Sequence, residues 1–325
     1  MKSESKKILI YGAGVIGSTF GGRLALAGHE VTLLARNKRL SELQEKGLLL
    51  QTAKEKMPVK ANAKIISTLS QTEVYDFIIV ALRKDQVNNA LSILAENQSK
   101  NFIFMVNNPS GYSDWIDALG ADRVIPAFPG SGGKIENGVV HYEIVSKFIQ
   151  PTTFGELNGQ VSERIREVKK IFSKAGFPVS ISRNMDAWQK THVAMVGPLG
   201  DVIYFDGGNN YTVAKNPEAI RLMNRSLAEN FNFLHRSGIG IEPAKLAVFR
   251  LLPQWMLNWI MKMTFNSKWA ETVISNHALN ARDEMRMISR EFLSLANSKG
   301  YELNHFKKMV DTIYKKEQKE EQEST

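Results

Sequence analysis

Hydrophobic and polar positions alternate with a different periodicity in each half of the chain. In the first half, short apolar runs alternate with segments of helical periodicity, and residues 74–82 form a continuous apolar run. Such runs are typical of parallel strands covered on both faces. Further strands are predicted at residues 8–11, 31–36, 102–106, 124–125, 138–142, 152–155 and 179–182, with helices after residue 14, near residue 85 and at 162–175. This pattern predicts a doubly wound sheet with an antiparallel-tending extension.

Beyond residue 183 the periodicity is helical almost throughout. The predicted helices lie at residues 186–196, 217–237, 242–251 and 268–298. We therefore predict an α/β domain at residues 1–182 and an all-α domain at residues 183–314. The tail at 315–325 is rich in Lys, Glu and Gln and low in hydrophobicity, which predicts disorder.

A glycine-rich turn joins the first predicted strand to the first helix, where the chain reads Gly-Ala-Gly-Val-Ile-Gly. This strand, turn and helix form the context that a dinucleotide-binding fingerprint requires. Gly12 allows a tight turn, Gly14 lets a pyrophosphate approach the backbone, and Gly17 lets helix and strand pack closely. The phosphates are expected at the helix N-terminus, beside Val15 and Ile16. The alternative interpretation is a tight structural turn without a ligand.

The end of the second predicted strand indicates which dinucleotide is bound. NAD-binding proteins usually have Asp or Glu here, to bind the ribose hydroxyls. This chain has Arg36, followed by Lys38 and Arg39. Cations at this place suit a 2′-phosphate, so the sequence predicts NADP rather than NAD. The alternative is that Arg36 is a solvated charge at a strand end.

Composition limits the remaining possibilities. A length of 325 residues suggests two domains, and the absence of cysteine excludes disulfides, thiolate metal sites and cysteine nucleophiles. We predict no metal site. The polar start indicates no signal peptide, and the apolar stretch at 251–263 is too short and too polar to span a bilayer. A cytoplasmic protein without a membrane partner is expected.

The net charge of +9 raises the question of nucleic acid. The basic residues are scattered rather than arranged in a stripe, and no aromatic residues are interleaved with them. The excess charge therefore indicates a solvated surface that also serves an anionic cofactor, and we expect no nucleic-acid partner.

Two places in the helical half offer groups that carbonyl reduction needs, namely a proton donor and polar groups that orient a substrate. The first is the Trp-Gln-Lys-Thr-His sequence that contains Lys190 and His192. Lys190 is expected to face a cleft between the domains, where substrates of dinucleotide enzymes usually bind. Without further information, a surface lysine and a structural or surface histidine are the alternatives.

The second place is a set of polar residues at four-residue spacing on the predicted helix 268–298. These residues are Thr272, Asn276, Asn280 and Glu284. On one continuous helix they would lie along one stripe. The stripe would be either a polar wall of the substrate pocket, with Glu284 as its charged group, or a solvated surface.

With these motifs the chain resembles the ketopantoate reductase (2-dehydropantoate 2-reductase) family over nearly its whole length. The resemblance rests on the glycine turn, on Arg36 and on a Val-Asn-Asn-Pro sequence that ends in Asn108 and Pro109. It also rests on Trp-Gln-Lys at Lys190, and on Glu284 ahead of a later phenylalanine and glycine. The family consists of NADPH-dependent enzymes with a Rossmann domain and a helical C-terminal domain.

The resemblance implies a role for each matching residue. Lys190 corresponds to the general acid and Glu284 to the glutamate that holds the substrate hydroxyl. Asn108 corresponds to an asparagine near the nicotinamide, and Arg36 to the residue that binds the 2′-phosphate. Thr272 corresponds to a substrate-binding hydroxyl residue.

Several positions depart from the family pattern. Two family asparagines after the lysine are replaced by Ala194 and by the Gly197-Pro198 pair. Arg83 replaces a lysine on the cofactor side, Asn276 replaces an acidic residue on the substrate side, and Pro109 replaces a glycine. A pocket that lacks hydrogen-bonding groups should reject the family substrate.

We therefore expect an NADPH-dependent reductase of a small 2-oxo acid or ketone, with ketopantoate, reduced to pantoate, as the best single substrate. One alternative is a reductase of a more apolar ketone, with Trp255, Met256, Trp259 and Met261 as a lid, although core or dimer packing also explains these residues. The other alternative is a catalytically silent NADPH sensor. A homodimer is a candidate assembly.

Overall fold

The computed structural model describes residues 5–275, 278–279 and 281–323. Within this part the chain divides into two compact units. One comprises Met1–Asn107 and Tyr112–Met185, and the other Asn108–Gly111 and Asp186–Thr325. Each unit has its own cluster of buried hydrophobic residues.

The first unit is built on an eight-stranded sheet. Its strands are β1 (Lys7–Tyr11), β2 (Glu30–Leu34), β5 (Lys64–Ile66), β6 (Phe77–Val80), β7 (Phe102–Met105), β8 (Val124–Phe128), β11 (Thr152–Phe154) and β12 (Val179–Ile181). Their order is β12-β11-β8-β7-β6-β1-β2-β5, and neighbours run parallel except β8 and β11. The central strands β6 and β7 are buried at every residue, as expected for parallel strands covered on both faces. The predicted α/β fold class is confirmed.

A second sheet in this unit was not predicted from the sequence. It contains β3 (Leu48–Gln51), β4 (Val59–Ala61), β9 (Ser131–Glu136) and β10 (Val139–Ile144), in the order β4-β3-β10-β9. The strand predicted at residues 138–142 therefore belongs to this sheet and not to an extension of the main one. Its parallel partner, β3, lies far earlier in the chain, so local periodicity could not identify the pairing.

The described residues of the first unit also form five helices: α1 (Val15–Leu26), α2 (Asn37–Lys46), α3 (Lys84–Glu96), α4 (Ser113–Leu119) and α5 (Glu163–Lys174), with a short 3₁₀ turn at Ala121–Arg123. Helix α1 packs against strands of both sheets. Close approach there depends on small residues, because a Cβ at Gly22 would lie 2.2 Å from the Leu50 side chain. Phe20 on the same helix stacks on Phe177, with ring centroids 4.0 Å apart.

The second unit is helical. Its helices are α6 (Met185–Asp206), which begins at the last residue of the first unit, α7 (Asn210–Lys215), α8 (Pro217–Arg236), α9 (Val248–Leu251), α10 (Gln254–Phe265), α11 (Lys268–Ala270), α12 (Arg282–Ser298) and α13 (Asn304–Glu323). A 3₁₀ turn at Ala244–Ala247 and a π-helical turn at Glu271–Ser275 lie between them. Helix α8 is central and contacts α7, α9, α10 and α13. It begins as the sequence predicts, with the Asn216 side chain accepting from the amide of Glu218 and Pro217 in its first turn.

Helix α6 is longer than the predicted helix at 186–196, because it continues through Pro198 to Asp206. Proline inside a helix costs about 3 kcal/mol. The residues on both sides of it, including Val193, Val202 and Ile203, are fully buried in the helical core. Burial of this length of helix offsets the cost.

The prediction of one helix over residues 268–298 is wrong. Helix α11 is followed by the π-helical turn, and α12 begins only at Arg282 after Ala281, whose backbone angles (φ −124°, ψ 31°) are not helical. Asn276 and Asn280 lie outside the described residues. Since a π turn changes the number of residues per turn, four-residue spacing does not place Thr272 and Glu284 on one stripe.

The last helix, α13, continues through Glu323, in the region where composition predicts a disordered tail from residue 315. Lys, Glu and Gln are good helix formers, so a helix anchored by buried residues such as Phe306 and Met309 extends readily into this segment.

Candidate active site

Two glycines of the turn between β1 and α1 are required by the fold itself. Gly12 has φ +116°, and a Cβ there would lie 2.5 Å from the carbonyl oxygen of Ala81, at the end of β6. A Cβ at Gly17 would lie 1.8 Å from the carbonyl oxygen of Gly12. Neither position accepts a larger residue without a backbone shift, because the turn is folded tightly against α1 and the neighbouring strand.

Gly14 differs from both. It is exposed, its φ of −68° is available to every residue, and a Cβ built on it meets no atom within 4 Å. The fold therefore does not require glycine here. Gly14 is the N-cap of α1 and makes no side-chain cap, and Val15 and Ile16 follow in the first turn. Open space at a helix N-terminus fits the phosphates of a dinucleotide, which need close approach to backbone amides.

Arg36 lies at the N-cap of α2, two residues after the end of β2, and is exposed. Its guanidinium donates a hydrogen bond of 2.8 Å to the Tyr11 hydroxyl, at the end of the adjacent strand β1. Burial raises the pKa of Tyr11, while the charge and the hydrogen bond of Arg36 lower it in part. Tyr11 thus holds the exposed cation at the end of β1 and β2 where the glycine turn begins.

Arg39 has a supporting role that sequence reasoning missed. Its guanidinium donates to the carbonyl oxygens of Ala13 and Gly138, both at 3.2 Å, and to the Ser18 hydroxyl at 3.4 Å. It also pairs with Glu42 at 3.1 Å. Arg39 therefore braces the glycine turn. The sequence offered one signal for the position of Arg39, its i,i+3 spacing to Glu42, which predicts an ion pair on α2.

Arg83 caps the start of α3, two residues after the Ala81 carbonyl that faces Gly12. Its side chain is about half exposed and forms an ion pair with Asp85 at 2.9 Å. Arg83 therefore lies just after β6, the strand whose end packs against Gly12, and belongs to the same unit as the glycine turn.

Asn108 lies in a short turn that belongs to the helical unit. The buried Asn108 amide donates to the Gly111 carbonyl at 2.5 Å, and its oxygen accepts from the Ser110 amide at 3.2 Å. Ser110 in turn donates to Glu291 on α12 at 2.9 Å. The hydrogen bonds of the Asn108 side chain therefore stabilise this turn.

Lys190 is on the second turn of α6 and is largely buried, with 11% of its side chain exposed. Its ammonium group forms a hydrogen-bonded ion pair with Asp186, one turn earlier on the same helix. A Cβ at Gly111 would lie 3.8 Å from the Asp186 carboxylate, so the structure brings the Asn108 turn close to this pair. Asp186 was missed in the sequence, although its i,i+4 spacing to Lys190 was visible.

The remaining predicted substrate residues are arranged differently from the expectation. Thr272 is exposed, and its hydroxyl donates to the Lys268 carbonyl of its own helical segment at 3.1 Å. Glu284 is half-buried in the first turn of α12. Asn276 lies outside the described residues. The expected continuous wall of Thr272, Asn276 and Glu284 is therefore not formed by a single helix.

The positions of the two missing family asparagines serve helix packing in this chain. Ala194 is fully buried, and its carbonyl accepts from the Asn230 amide at 3.2 Å. A Cβ at Gly197 would lie 2.9 Å from the ring of Phe306 on α13. The departures from the family pattern thus coincide with close contacts between helices.

The suggested lid is also not supported as one surface. Met261 is buried in the helical core together with Leu257 and Phe265, whereas Trp255 and Trp259 lie on the exposed face of α10. A single lid cannot contain both sets.

Two other kinds of site are not found in the part of the chain that the structure describes. Among the described residues, no group of three or more His, Asp or Glu side chains is placed to hold a metal ion. No helix in the described ranges is both long and apolar enough to cross a bilayer.

Comparison with known proteins identifies the family. A family model described as ketopantoate reductase PanE/ApbA matches residues 8–159. An uncharacterized oxidoreductase of Bacillus subtilis, YkpB, is 30% identical over 63% of this chain and 70% of its own length. A 2-dehydropantoate 2-reductase of Pyrococcus horikoshii is 27% identical over 66% of this chain and 71% of its own length.

Solved structures with the same fold include two with different names. One is a PanE/ApbA family ketopantoate reductase from Ralstonia eutropha, with a TM-score of 0.77 and 18% identity, covering 97% of this chain and 99% of that one. The other is D-mandelate dehydrogenase with NADH and anilino(oxo)acetate, with a TM-score of 0.77 and 16% identity, covering 96% and 98%. The chain belongs to the ketopantoate reductase family, whose members are oxidoreductases that act on carbonyl or CH–OH groups with a nicotinamide cofactor.

Proposed function

We propose that this protein is an NADPH-dependent reductase of a small 2-oxo acid, with ketopantoate, reduced to pantoate, as the best single candidate. The observation that carries the proposal is the largely buried Lys190, paired with the partly exposed Asp186, at the position of the family's general acid. In this proposal residues 1–182 bind the cofactor and residues 183–314 bind the substrate.

The cofactor part is supported by the turn at the start of α1. Gly14 leaves open space at a helix N-terminus, and Arg36 is held by Tyr11 where β1 and β2 end. An exposed guanidinium binds a phosphate with paired hydrogen bonds, which favours the 2′-phosphate of NADPH over the free hydroxyl of NADH. Arg83 and Asn108 are proposed as further cofactor contacts.

In the proposed reaction, the cofactor and this chain supply different groups. A bound NADPH would supply the hydride. The Lys190 ammonium would donate a proton to the substrate's carbonyl oxygen as negative charge develops there, a role worth roughly 10²–10⁴-fold in rate. Asp186 keeps the Lys190 side chain in one orientation, and Glu284, Thr272 and Asn276 are proposed to bind the substrate's polar groups.

A second candidate is a more apolar 2-oxo acid, without the hydroxyl group of ketopantoate. It is favoured by the packing of Ala194 and Gly197, since neither position offers a side chain that hydrogen-bonds a substrate. A site that lacks a partner for a substrate hydroxyl discriminates against that substrate. D-mandelate dehydrogenase, which shares the fold, was solved with the aromatic 2-oxo acid anilino(oxo)acetate.

The deciding experiment is a screen of NADPH oxidation with ketopantoate and with aliphatic and aromatic 2-oxo acids. We expect Lys190→Ala to reduce kcat by about 100-fold or more and to leave the Kd for NADPH, measured by calorimetry, unchanged. The control is Lys215→Ala, an exposed lysine at the end of α7, which should behave as the parent.

Equal turnover in Lys190→Ala and in the parent would remove Lys190 from the mechanism. Tight NADPH binding without oxidation by any 2-oxo acid would instead favour the catalytically silent sensor.

The choice of cofactor has its own prediction. Arg36→Ala should weaken NADPH by about tenfold or more, since a hydrogen bond to a charged group contributes roughly 1.5–3 kcal/mol, and should change NADH affinity little. Tyr11→Phe should have a smaller effect in the same direction, because it removes the group that holds Arg36. Fluorescence titration of both cofactors measures this, and a parallel loss of both affinities would contradict the 2′-phosphate assignment.

A further inference from the structure

Pro198 removes one hydrogen bond from the middle of α6. In a regular α-helix the carbonyl oxygen of residue 194 accepts from the amide of residue 198, but proline has no amide hydrogen and its ring crowds that carbonyl group. Ala194 is fully buried, so solvent does not take the place of the missing amide. Because a buried carbonyl group without a hydrogen bond is strongly destabilising, α6 needs a donor from another element at this point.

Asn230 on α8 supplies that donor. Its side-chain amide lies 3.2 Å from the carbonyl oxygen of Ala194 and donates to it. Asn230 is itself fully buried, and within the described residues its side-chain oxygen has no hydrogen-bond partner. The reversed orientation of the side chain is unfavourable, because two oxygens would then face each other. The amide group of Asn230 therefore replaces the amide that Pro198 lacks.

The two halves of α6 are held by contacts with different elements. After the proline, the buried Asp201 carboxylate accepts from the Ser289 hydroxyl of α12 at 2.7 Å. Before the proline, the Thr191 hydroxyl accepts from a backbone amide of the segment between α8 and α9 at 3.1 Å, and Ala194 accepts from Asn230. The bond from Asn230 thus joins α8 to the first half of α6, at the place where the regular helical hydrogen bonds are interrupted.

Lys190 lies in the first half of α6, one turn before Ala194. Its ion pair with Asp186 is formed within the same helix, so this pair moves with the helix and does not fix it to a neighbouring element. A misplacement of about 1 Å can reduce a catalysed rate by roughly 100-fold. The contact that fixes the first half of α6 therefore bears on any reaction in which the Lys190 ammonium takes part.

We propose that Asn230 is a positioning residue for Lys190. By donating to Ala194 it replaces the hydrogen bond lost at Pro198 and holds the end of α6 that carries Lys190 against α8. This inference rests on the proposed reductase function, in which Lys190 donates a proton to the substrate. Asn230 acts through α6 and needs no contact with the substrate or the cofactor.

A double-mutant cycle between residues 198 and 230 tests the replacement. Asn230→Leu removes the donor, whereas in the double variant with Pro198→Ala the backbone amide of residue 198 can donate to Ala194 again. With NADPH present, hydrogen exchange of residues 186–197, measured by mass spectrometry, should be about fivefold or more faster in Asn230→Leu than in the parent. It should return to the parent rate in the double variant, and Pro198→Ala alone should resemble the parent.

Turnover distinguishes positioning from stability. With the 2-oxo acid that the parent reduces fastest, Asn230→Leu should lower kcat by about tenfold or more, change KM less and leave the Kd for NADPH unchanged. Addition of Pro198→Ala should restore most of kcat. The matched control is Asn224→Leu, another fully buried asparagine of α8, whose amide donates to Asn258 on α10 at 2.8 Å. This control should lose stability to urea, keep the parent kcat and show no rescue by Pro198→Ala.

Unchanged exchange in Asn230→Leu, or no recovery in the double variant, would overturn the proposed replacement. A parent-like kcat in Asn230→Leu, or an equal loss in Asn224→Leu, would overturn the positioning role. If Asn230→Leu alone does not fold, a folded double variant with the parent kcat supports the proposal, and a double variant that also fails to fold contradicts it. A parent that reduces no 2-oxo acid would contradict the proposed function instead, while the exchange rates would still decide whether Asn230 holds α6.

Discussion

At the scale of single residues, the three glycines between β1 and α1 have different reasons to be glycine. Gly12 and Gly17 are confined by backbone atoms of the protein, whereas Gly14 faces open space. The first two are required by the fold, whereas the fold does not require the third. This difference supports the proposed dinucleotide-binding turn over a merely tight one, which the pattern of glycines alone could not do.

The same contrast yields a prediction. Gly14→Ala should change the free energy of unfolding by less than about 1 kcal/mol, because its backbone conformation suits alanine. It should still weaken NADPH binding at least tenfold, since a methyl group would occupy the space for the pyrophosphate. Gly17→Ala should destabilise the protein by roughly 1–3 kcal/mol, as overpacking does.

Chemical denaturation and cofactor titration of both variants measure these effects. Unchanged NADPH affinity in a folded Gly14→Ala would contradict the placement of the phosphates at α1.

At the scale of elements, the link from β11 to α5 is fixed by a buried charge. Glu156, 8% exposed, accepts two hydrogen bonds from Arg164, at 2.7 and 2.5 Å, and one from Ser162, the N-cap of α5. Burial raises the pKa of Glu156, but the hydrogen bonds from Arg164 and Ser162 and the charge of Arg164 outweigh it and leave the pKa below 4.5. The ion pair thus joins the end of a strand to the start of a helix.

This pair predicts a dependence of stability on pH. A carboxyl whose pKa is lowered by folding contributes stability above its unfolded pKa, near 4.5, and loses it as the pH falls through the folded pKa. Glu156→Gln should therefore cost on the order of 2 kcal/mol at neutral pH and flatten the acid side of the profile. Urea denaturation across pH measures both.

The matched control is Glu163→Gln, an exposed carboxyl in the first turn of α5. If both variants lose the same stability with the same pH profile as the parent, the ion pair does not stabilise this link.

Elements also show where periodicity misleads. The spacing of Thr272, Asn276, Asn280 and Glu284 predicts one helix, yet the chain forms a π-helical turn and a new helix that starts at Arg282. Pro198 has the opposite effect, because it predicts a helix end where α6 continues. In both cases packing of the helical unit, rather than local propensity, determines the backbone.

At the scale of the whole molecule, the exposure of individual side chains distinguishes residues that composition alone treats as equivalent. The apolar segment at 251–263 resembles an ordinary core segment in sequence, and half of it is packed in the helical core. The other half, with Trp255, Trp259 and Met263, lies on the exposed face of α10. The net charge of +9 likewise contains individual residues in different environments, such as Arg36, exposed and hydrogen-bonded to Tyr11, and Arg39, engaged in bracing a turn.

The sequence by itself determined the fold class, the glycine turn with its flanking strands and the family, because these depend on local periodicity and on short motifs. The tertiary structure alone decided the second sheet, the Arg39 brace, the packing at Ala194 and Gly197, and the two faces of α10. Each of these depends on residues that are distant in the chain and meet only when the cores form. Since local patterns carry no information about such partners, the contacts of the proposed substrate residues and the exposed faces were the parts that sequence could not predict.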